Sequence, residues 1–105
     1  MEKFITVITT TETEKEAEKI AETLVSEKLA ACVQIIPSIK SVYRWQGKVE
    51  KSEEHLLFIK TKESLFEKVE KAIKENHSYE VPEIISIPVN SGSKEYLEWI
   101  KSVTL

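Results

Sequence analysis

Aspartate is absent from the sequence, and glycine is nearly absent. All eighteen acidic side chains are glutamates, and Arg44 is the only arginine among fifteen basic side chains. Without Asp, the chain has no Asp-rich calcium loop, no aspartyl-phosphate chemistry and no Asp-based catalytic triad. Gly47 and Gly92 are too few to build a glycine-rich loop around nucleotide phosphates. Because neither histidine lies near a nucleophile motif, we expect a protein that is not an enzyme.

Cysteine occurs once, at Cys32, which excludes an internal disulfide and a thiolate zinc cluster within one chain. Cysteine usage of this kind predicts a cytoplasmic protein. Cys32 lies in an apolar segment, so we expect its thiol to be buried and unreactive. The first eleven residues lack the apolar core of a signal peptide, and no window approaches the ~20 apolar residues of a membrane helix. The sequence therefore predicts no contact with a membrane.

The length of 105 residues predicts one domain spanning 1–105. The net charge of −3 provides no positive field for a phosphate backbone, so nucleic-acid binding is not expected. RNA-binding sheets display aromatic side chains beside basic ones. Phe4 and Phe58 are isolated in the sequence, and we expect both to lie in the core.

The spacing of apolar residues predicts the element order β-α-β-β-α-β-α. Strands are expected over 4–10, 30–43, 49–61 and 83–89, and helices up to about 28, over 63–76 and through 96–103. The first helix has two possible capping boxes, Thr11 with Glu14 or Thr13 with Glu16. Pro37 predicts a bulge or a sheet edge, and Gly47 marks a turn. This order predicts an α+β, ferredoxin-like sandwich: a four-stranded antiparallel sheet, helices on one face, and a C-terminal helix.

The long hairpin between the second and third strands is expected to extend beyond the body of the domain. Residues 49–61 would span roughly 40 Å at ~3.3 Å per residue, whereas a domain of this size is about 30–35 Å across. The projecting end carries Val42, Tyr43, Trp45 and Val49. Exposed in water, it would be an aggregation hazard, so we expect neighbouring copies to cover it in a cyclic assembly.

Two groups of side chains are candidates for binding. His77 with Glu80 or Glu83 offers imidazole and carboxylate donors for copper or another divalent cation. The alternative is a histidine that contacts the carbonyls at the end of the second helix. Trp45 and Tyr79 are costly to expose and are expected to pack against a ligand or another subunit.

Five ordered motifs extend over nearly the whole chain. They are Ala-Ala-Cys-Val at 30–33, Ser-Val-Tyr-Arg-Trp-Gln-Gly-Lys-Val-Glu at 41–50, Leu-Leu-Phe-Ile-Lys-Thr at 56–61, Tyr-Glu-Val-Pro-Glu-Ile-Ile at 79–85 and Tyr-Leu-Glu-Trp-Ile at 96–100. Together they resemble the CutA family of divalent-cation-tolerance proteins. The resemblance implies a cytoplasmic homotrimer whose architecture is similar to that of the PII signalling proteins, with no required cofactor.

The family motif Trp-x-Gly-Lys-x-Glu is matched here by Trp45, Gly47, Lys48 and Glu50. A second family segment, which starts with a histidine, is matched from His77 onward. Copper-binding members carry a Cys at the end of the first strand and a second His beside the one at 77. This chain has Thr9 and Asn76 there, so the resemblance implies weak copper binding.

A different class of function stays open in the sequence: a PII-like regulatory module that binds a small anionic metabolite or a partner protein in clefts between subunits. The candidate residues of those clefts are Trp45, Lys48, Glu50, Lys60 and Tyr79, with Glu80 beside them. A scaffold without any ligand is the third alternative.

Lysine and glutamate enrichment, with few thermolabile side chains, is the composition reported for hyperthermophile proteins. The surface is therefore expected to form ion-pair networks, and we predict a thermal midpoint above ~90 °C. Differential scanning calorimetry measures it directly. A transition at about 45–65 °C, the usual mesophile range, would contradict the prediction.

Overall fold

The computed structural model describes residues 2–105, which form one four-stranded antiparallel sheet with strand order β2-β3-β1-β4. The strands are β1 (Phe4–Thr11), β2 (Cys32–Trp45), β3 (Lys48–Lys62) and β4 (Ile84–Pro88). The helices are α1 (Glu14–Ser26), α2 (Phe66–Glu75) and α3 (Lys94–Ser102), and a 3₁₀ turn (Glu63–Leu65) precedes α2. The order and the sheet confirm the predicted α+β, ferredoxin-like fold.

The core lies between one face of the sheet and the helices α1 and α2. Side chains at alternate positions of β1 and β3 point into it, because successive residues of a strand face opposite sides. Val7 of β1 and Ile59 of β3 are paired across the strands and are both fully buried. The helices complete the core with apolar stripes, formed by Ala17, Ile20 and Leu24 on α1 and by Val69, Ala72 and Ile73 on α2.

The first helix is capped by Thr13, in the second of the two possible registers, while the Glu16 carboxylate accepts from Ser78 rather than from the Thr13 amide. The Thr13 side chain accepts a hydrogen bond from the Glu16 amide, at 3.1 Å. Thr11 instead belongs to β1, where its hydroxyl donates to the Thr13 carbonyl at 2.8 Å. The strand therefore continues to Thr11, and the helix begins one residue after its cap.

The bulge expected at Pro37 is present, and it gives His55 a structural role. The pairing of β2 with β3 shifts between Ile36 and Ile39, and Ser38 in the bulge adopts a left-handed conformation with φ 59°. The Ser38 amide donates to Nδ1 of His55 at 3.4 Å. The shift in register leaves the Ser38 amide without a partner strand position, and the His55 imidazole accepts its hydrogen bond instead.

The β2–β3 hairpin extends beyond the rest of the sheet, as the strand lengths predict. Its two-residue turn has positive φ at both Gln46 (50°) and Gly47 (80°), the type I′ geometry that matches the twist of the strands. Strand β1 ends opposite His55, so residues 39–45 and 48–54 pair only with each other. We call this two-stranded segment the ribbon. The molecule measures 44 × 25 × 22 Å as a result.

The side of the sheet away from α1 and α2, here called the open face, is only partly covered. Its apolar members are Phe4, Ile8, Ile36, Leu56, Phe58, Ile85 and Ile87, from the strand registers. Phe4 and Phe58 are half-buried there, so their expected place in the core is wrong: their positions alternate with those that face the helices.

The last helix, whose face the sequence left open, lies on the open face, on the opposite side of the sheet from α1 and α2. α3 packs on β3, and its Tyr96 lies near Cys32. After the C-terminal end of α3, the Leu105 carbonyl accepts a hydrogen bond from the Lys62 ammonium. Cys32 and Lys62 both point to the open face. Cys32 is only partly buried, which corrects the expected burial, because α3 covers only part of this face.

The expected ion-pair networks do not form within residues 2–105. The single ion pair of that part of the chain joins Lys74 to Glu70 at 3.3 Å, one turn apart on α2 and exposed to solvent. Such pairs contribute about 0.3–0.5 kcal/mol. No helix in the same range is both long enough and apolar enough to cross a bilayer.

Candidate functional site

A cavity of about 790 Å³ separates the ribbon from the loop that joins α2 to β4. Its lining residues are Thr10, Ser41, Val42, Tyr43, Trp45, Glu54, Ser78, Tyr79, Glu80, Val81, Pro82 and Glu83. The loop is anchored at its start, where the amide and hydroxyl of Ser78 donate to the Glu16 carboxylate at 2.8 and 3.3 Å. The ribbon, the end of β1 and the loop thus form one concave surface.

Both ring nitrogens of His77 already have protein partners. Nδ1 accepts a hydrogen bond from the Tyr79 amide at 3.0 Å, so the ring proton belongs on Nε2, which donates to the Thr10 carbonyl at 2.6 Å. The imidazole is neutral in this arrangement and ties the loop to β1. The alternative interpretation of His77 is wrong about its partner, because the α2 carbonyl of Ala72 is bound by the Asn76 side chain instead, at 2.8 Å.

Tyr79 joins the loop to the ribbon through a buried carboxylate. Its hydroxyl donates to Oε2 of Glu54 at 2.8 Å, and Glu54 is only 6% exposed. The Tyr79 ring also packs on His77, with 4.8 Å between ring centroids. Burial and the hydrogen bond to the negative Glu54 side chain raise the pKa of Tyr79 well above its usual 10, so the phenol remains protonated.

The candidate metal donors do not assemble into a site within one chain. No three His, Cys, Asp or Glu side chains come close enough together in residues 2–105 to hold an ion. His77 has no free ring nitrogen, while Glu80 and Glu83 are exposed on the cavity wall. Thr9 is fully buried and its hydroxyl has no partner. The residues present therefore do not fit a tightly bound divalent ion.

The candidate cleft residues divide into two sets. Trp45 and Tyr79 line the cavity. Lys48 lies at the end of the ribbon, Glu50 pairs with Tyr43 across it, and the Lys60 ammonium donates to Gln34 Oε1 at 2.7 Å on the open face. None of those three lines the cavity, which therefore offers no basic side chain to an anion.

Sequence reasoning missed Glu54 and Tyr43 as cavity residues. The alternation that places Leu56 and Phe58 on the open face also places Glu54 there, two residues earlier on the same strand. A carboxylate in line with apolar residues of a strand is a recognisable signal. The same alternation does not identify Tyr43 in the sequence. The bulge at Pro37 shifts the alternation of β2 by one residue, so residues after the bulge face the side opposite to the one that the earlier residues predict.

Tyr79→Phe is predicted to lower the free energy of unfolding by about 1–3 kcal/mol at pH 7, because the buried Glu54 loses its donor. A raised phenol pKa means that stability is lost as pH rises above 10, where only the unfolded chain releases the proton. The variant has no phenol at position 79, so the difference in unfolding free energy between wild type and variant should narrow near pH 11.

Urea denaturation at a fixed protein concentration measures both effects. Tyr43→Phe is the matched control: its hydroxyl has no hydrogen-bond partner among the described residues, so a change within about 0.5 kcal/mol is expected. Equal stability of wild type and Tyr79→Phe at pH 7 would contradict the assigned role.

The family model of the CutA1 divalent ion tolerance protein matches residues 5–103. The chain is 48% identical over 100 residues to the chloroplastic protein CutA of Arabidopsis thaliana, covering 95% of this chain and 55% of that protein. It is 45% identical over 98 residues to the divalent-cation tolerance protein CutA of Thermus thermophilus, covering 93% and 95%. The chain spans about half the length of the plant relatives.

The solved structures agree with the sequence comparison. The crystal structure of CutA1 from Oryza sativa superimposes with a TM-score of 0.96 at 46% identity, over 98% of this chain and 94% of that one. The Thermus thermophilus protein gives a TM-score of 0.93 at 44% identity, over 99% of both chains. The resemblance in the sequence is confirmed: the chain belongs to the CutA family of divalent-cation tolerance proteins.

Proposed function

We propose that this chain serves divalent-cation tolerance as a homotrimer, with neighbouring copies covering the open face and the ribbon. The observation that supports assembly is the large apolar surface left exposed on one chain. On the open face, Ile85 is 49% and Ile87 46% exposed, and on the ribbon Trp45 is 44% exposed. Monomeric proteins rarely leave so much contiguous apolar surface in water. Its cytoplasmic location stays a prediction.

A cyclic arrangement accounts for both surfaces together. The ribbon has unpaired outer edges as well as exposed Val42 and Val49, so it needs a partner that covers strand edges and apolar side chains. The open face of a second copy offers exposed apolar side chains, Ile85 and Ile87 among them. In a closed ring, each ribbon is covered in the same way, and no copy is left with an uncovered surface.

Wild type is predicted to have three times the mass of one 12.1 kDa chain in light scattering coupled to gel filtration. Trp45→Ala should dissociate more readily on dilution, because truncation of an interface tryptophan often costs about 2 kcal/mol or more. Val25→Ala is the control, since Val25 is equally exposed (43%) but lies on α1, away from both surfaces. A wild-type mass of one chain would contradict the proposal.

Weak copper binding by His77 with Glu80 or Glu83 remains part of the proposal. A metal ion can reach the imidazole only by displacing the Tyr79 amide from Nδ1 or the Thr10 carbonyl from Nε2, and that exchange lowers its affinity. A neighbouring subunit or water must supply further donors. The anionic-metabolite alternative has no comparable support, because no basic side chain lines the cavity in the described part of the chain.

Calorimetric titration of Cu(II) is predicted to show weak binding to wild type that is abolished in His77→Ala and weakened by acid, since imidazole binds metal only when neutral. His55→Ala is the matched control, because His55 lies at the bulge and outside the cavity. Equal affinity in wild type and His77→Ala would remove His77 from the site.

A further inference from the structure

The cavity between the ribbon and the loop contains a mostly buried carboxyl group, Glu54, that no basic side chain of residues 2–105 accompanies. Glu54 is 6% exposed and accepts one hydrogen bond, from Tyr79 to Oε2. Within residues 2–105, its Oε1 has no hydrogen-bond donor, and no Lys, Arg or His nitrogen lies within 4 Å of its carboxylate. Oε1 is not among the buried side-chain oxygens without a partner, so it is the part of the carboxylate that the cavity leaves accessible. A carboxylate that is mostly buried binds a cation more strongly than an exposed one, because less water competes for it. Glu54 is therefore set up to receive a positive group from outside the chain.

The walls of the cavity suit an organic cation. Tyr43, Trp45 and Tyr79 contribute aromatic rings, while Glu80 and Glu83 add two more carboxylates at the rim. Aromatic faces attract ammonium and guanidinium groups, and the attraction grows when water is excluded. Aromatic walls around a buried carboxylate therefore fit a cationic head joined to an apolar chain.

The size of the cavity and the spacing of its acids argue against a bare metal ion as the occupant. The three carboxylates do not converge closely enough to hold one ion, as shown by the absence of any such cluster among the described residues. A volume of about 790 Å³ lies in the range of cavities that enclose small organic molecules, about 300–1,000 Å³.

We propose that this cavity is a binding site for a small organic cation of the alkylguanidinium or alkylammonium class, with its charged head paired to Glu54 and flanked by Trp45 and Tyr79. A guanidinium head can pair with a carboxylate through two parallel hydrogen bonds and stack on an aromatic face at the same time. The site requires no bound metal. It lies partly on the ribbon, so a neighbouring copy borders it in the homotrimer proposed above, and in this respect it rests on that proposed assembly.

The cation has two possible sources, a free molecule or a basic side chain at the ribbon of a second copy. The ribbon carries Arg44 and Lys48 near its end, where a neighbouring copy could present them. Butylguanidinium chloride is the probe, followed by calorimetry and by tryptophan fluorescence. Its neutral analogue, butylurea, has nearly the same shape without the charge.

Four proteins are titrated: wild type, Glu54→Gln, Glu53→Gln and the double variant Arg44→Gln/Lys48→Gln. Glu53 is the matched control, because it neighbours Glu54 on β3, loses the same charge and does not line the cavity. Binding to wild type that is weaker by about tenfold or more in Glu54→Gln, and unchanged in Glu53→Gln, supports a free cation. Binding only to the double variant identifies the ribbon of a second copy as the source.

Two results would overturn the proposal: no binding to either wild type or the double variant, or equal binding to wild type and Glu54→Gln. If Glu54→Gln does not fold, the affinities for butylguanidinium and butylurea are compared instead, on wild type or on the double variant, whichever binds butylguanidinium. Butylguanidinium must bind about tenfold or more tightly than butylurea. Equal affinities would show that the cavity does not recognise charge.

Discussion

Strand β3 is almost twice as long as its neighbour β1, and the shape of the chain follows from this difference. β3 has 15 residues and β1 has 8, so nearly half of β3 has a partner on one side only. Loop residues and α3 cover little of that part. The ribbon therefore leaves apolar side chains and strand edges in water, and the open face leaves further apolar side chains exposed beside it. No other element within residues 2–105 covers them.

The cavity is a second consequence of the same difference in strand length. Because the ribbon passes the end of β1, the 77–83 loop can lie against it, and one set of hydrogen bonds holds them together. His77 binds the loop amide of Tyr79 and the carbonyl of Thr10, and Tyr79 binds Glu54 on the ribbon. His77, the imidazole among the candidate metal donors in the sequence, thus serves to position a loop. A buried acid that the sequence interpretation passed over becomes the most distinctive group of the cavity.

Periodicity predicted the element order, the bulge, the turn and the overhanging hairpin, because each follows from local rules about backbone and burial. It failed where two elements share a surface. Phe4 and Phe58 look like core residues until the register shows that they alternate with Ile5 and Ile59, which face the helices. α3 lies on the side of the sheet that carries Cys32 and Lys62, which are distant from it in the sequence. One partner of His77, the Thr10 carbonyl, comes from β1, 67 residues away, and no local pattern could reveal it.

Hydrogen exchange tests the central claim, that neighbouring copies cover the ribbon and the open face, most directly. A two-stranded ribbon in water opens easily, and its amides exchange with little protection, whereas amides of a covered sheet exchange only on larger opening. Mass-spectrometric exchange compares peptides from 39–54 with peptides from 55–62 at assembling protein concentrations. If neighbouring copies cover the ribbon, similar and strong protection is expected for both sets of peptides. Rapid exchange of 39–54 beside a protected 55–62 would contradict it.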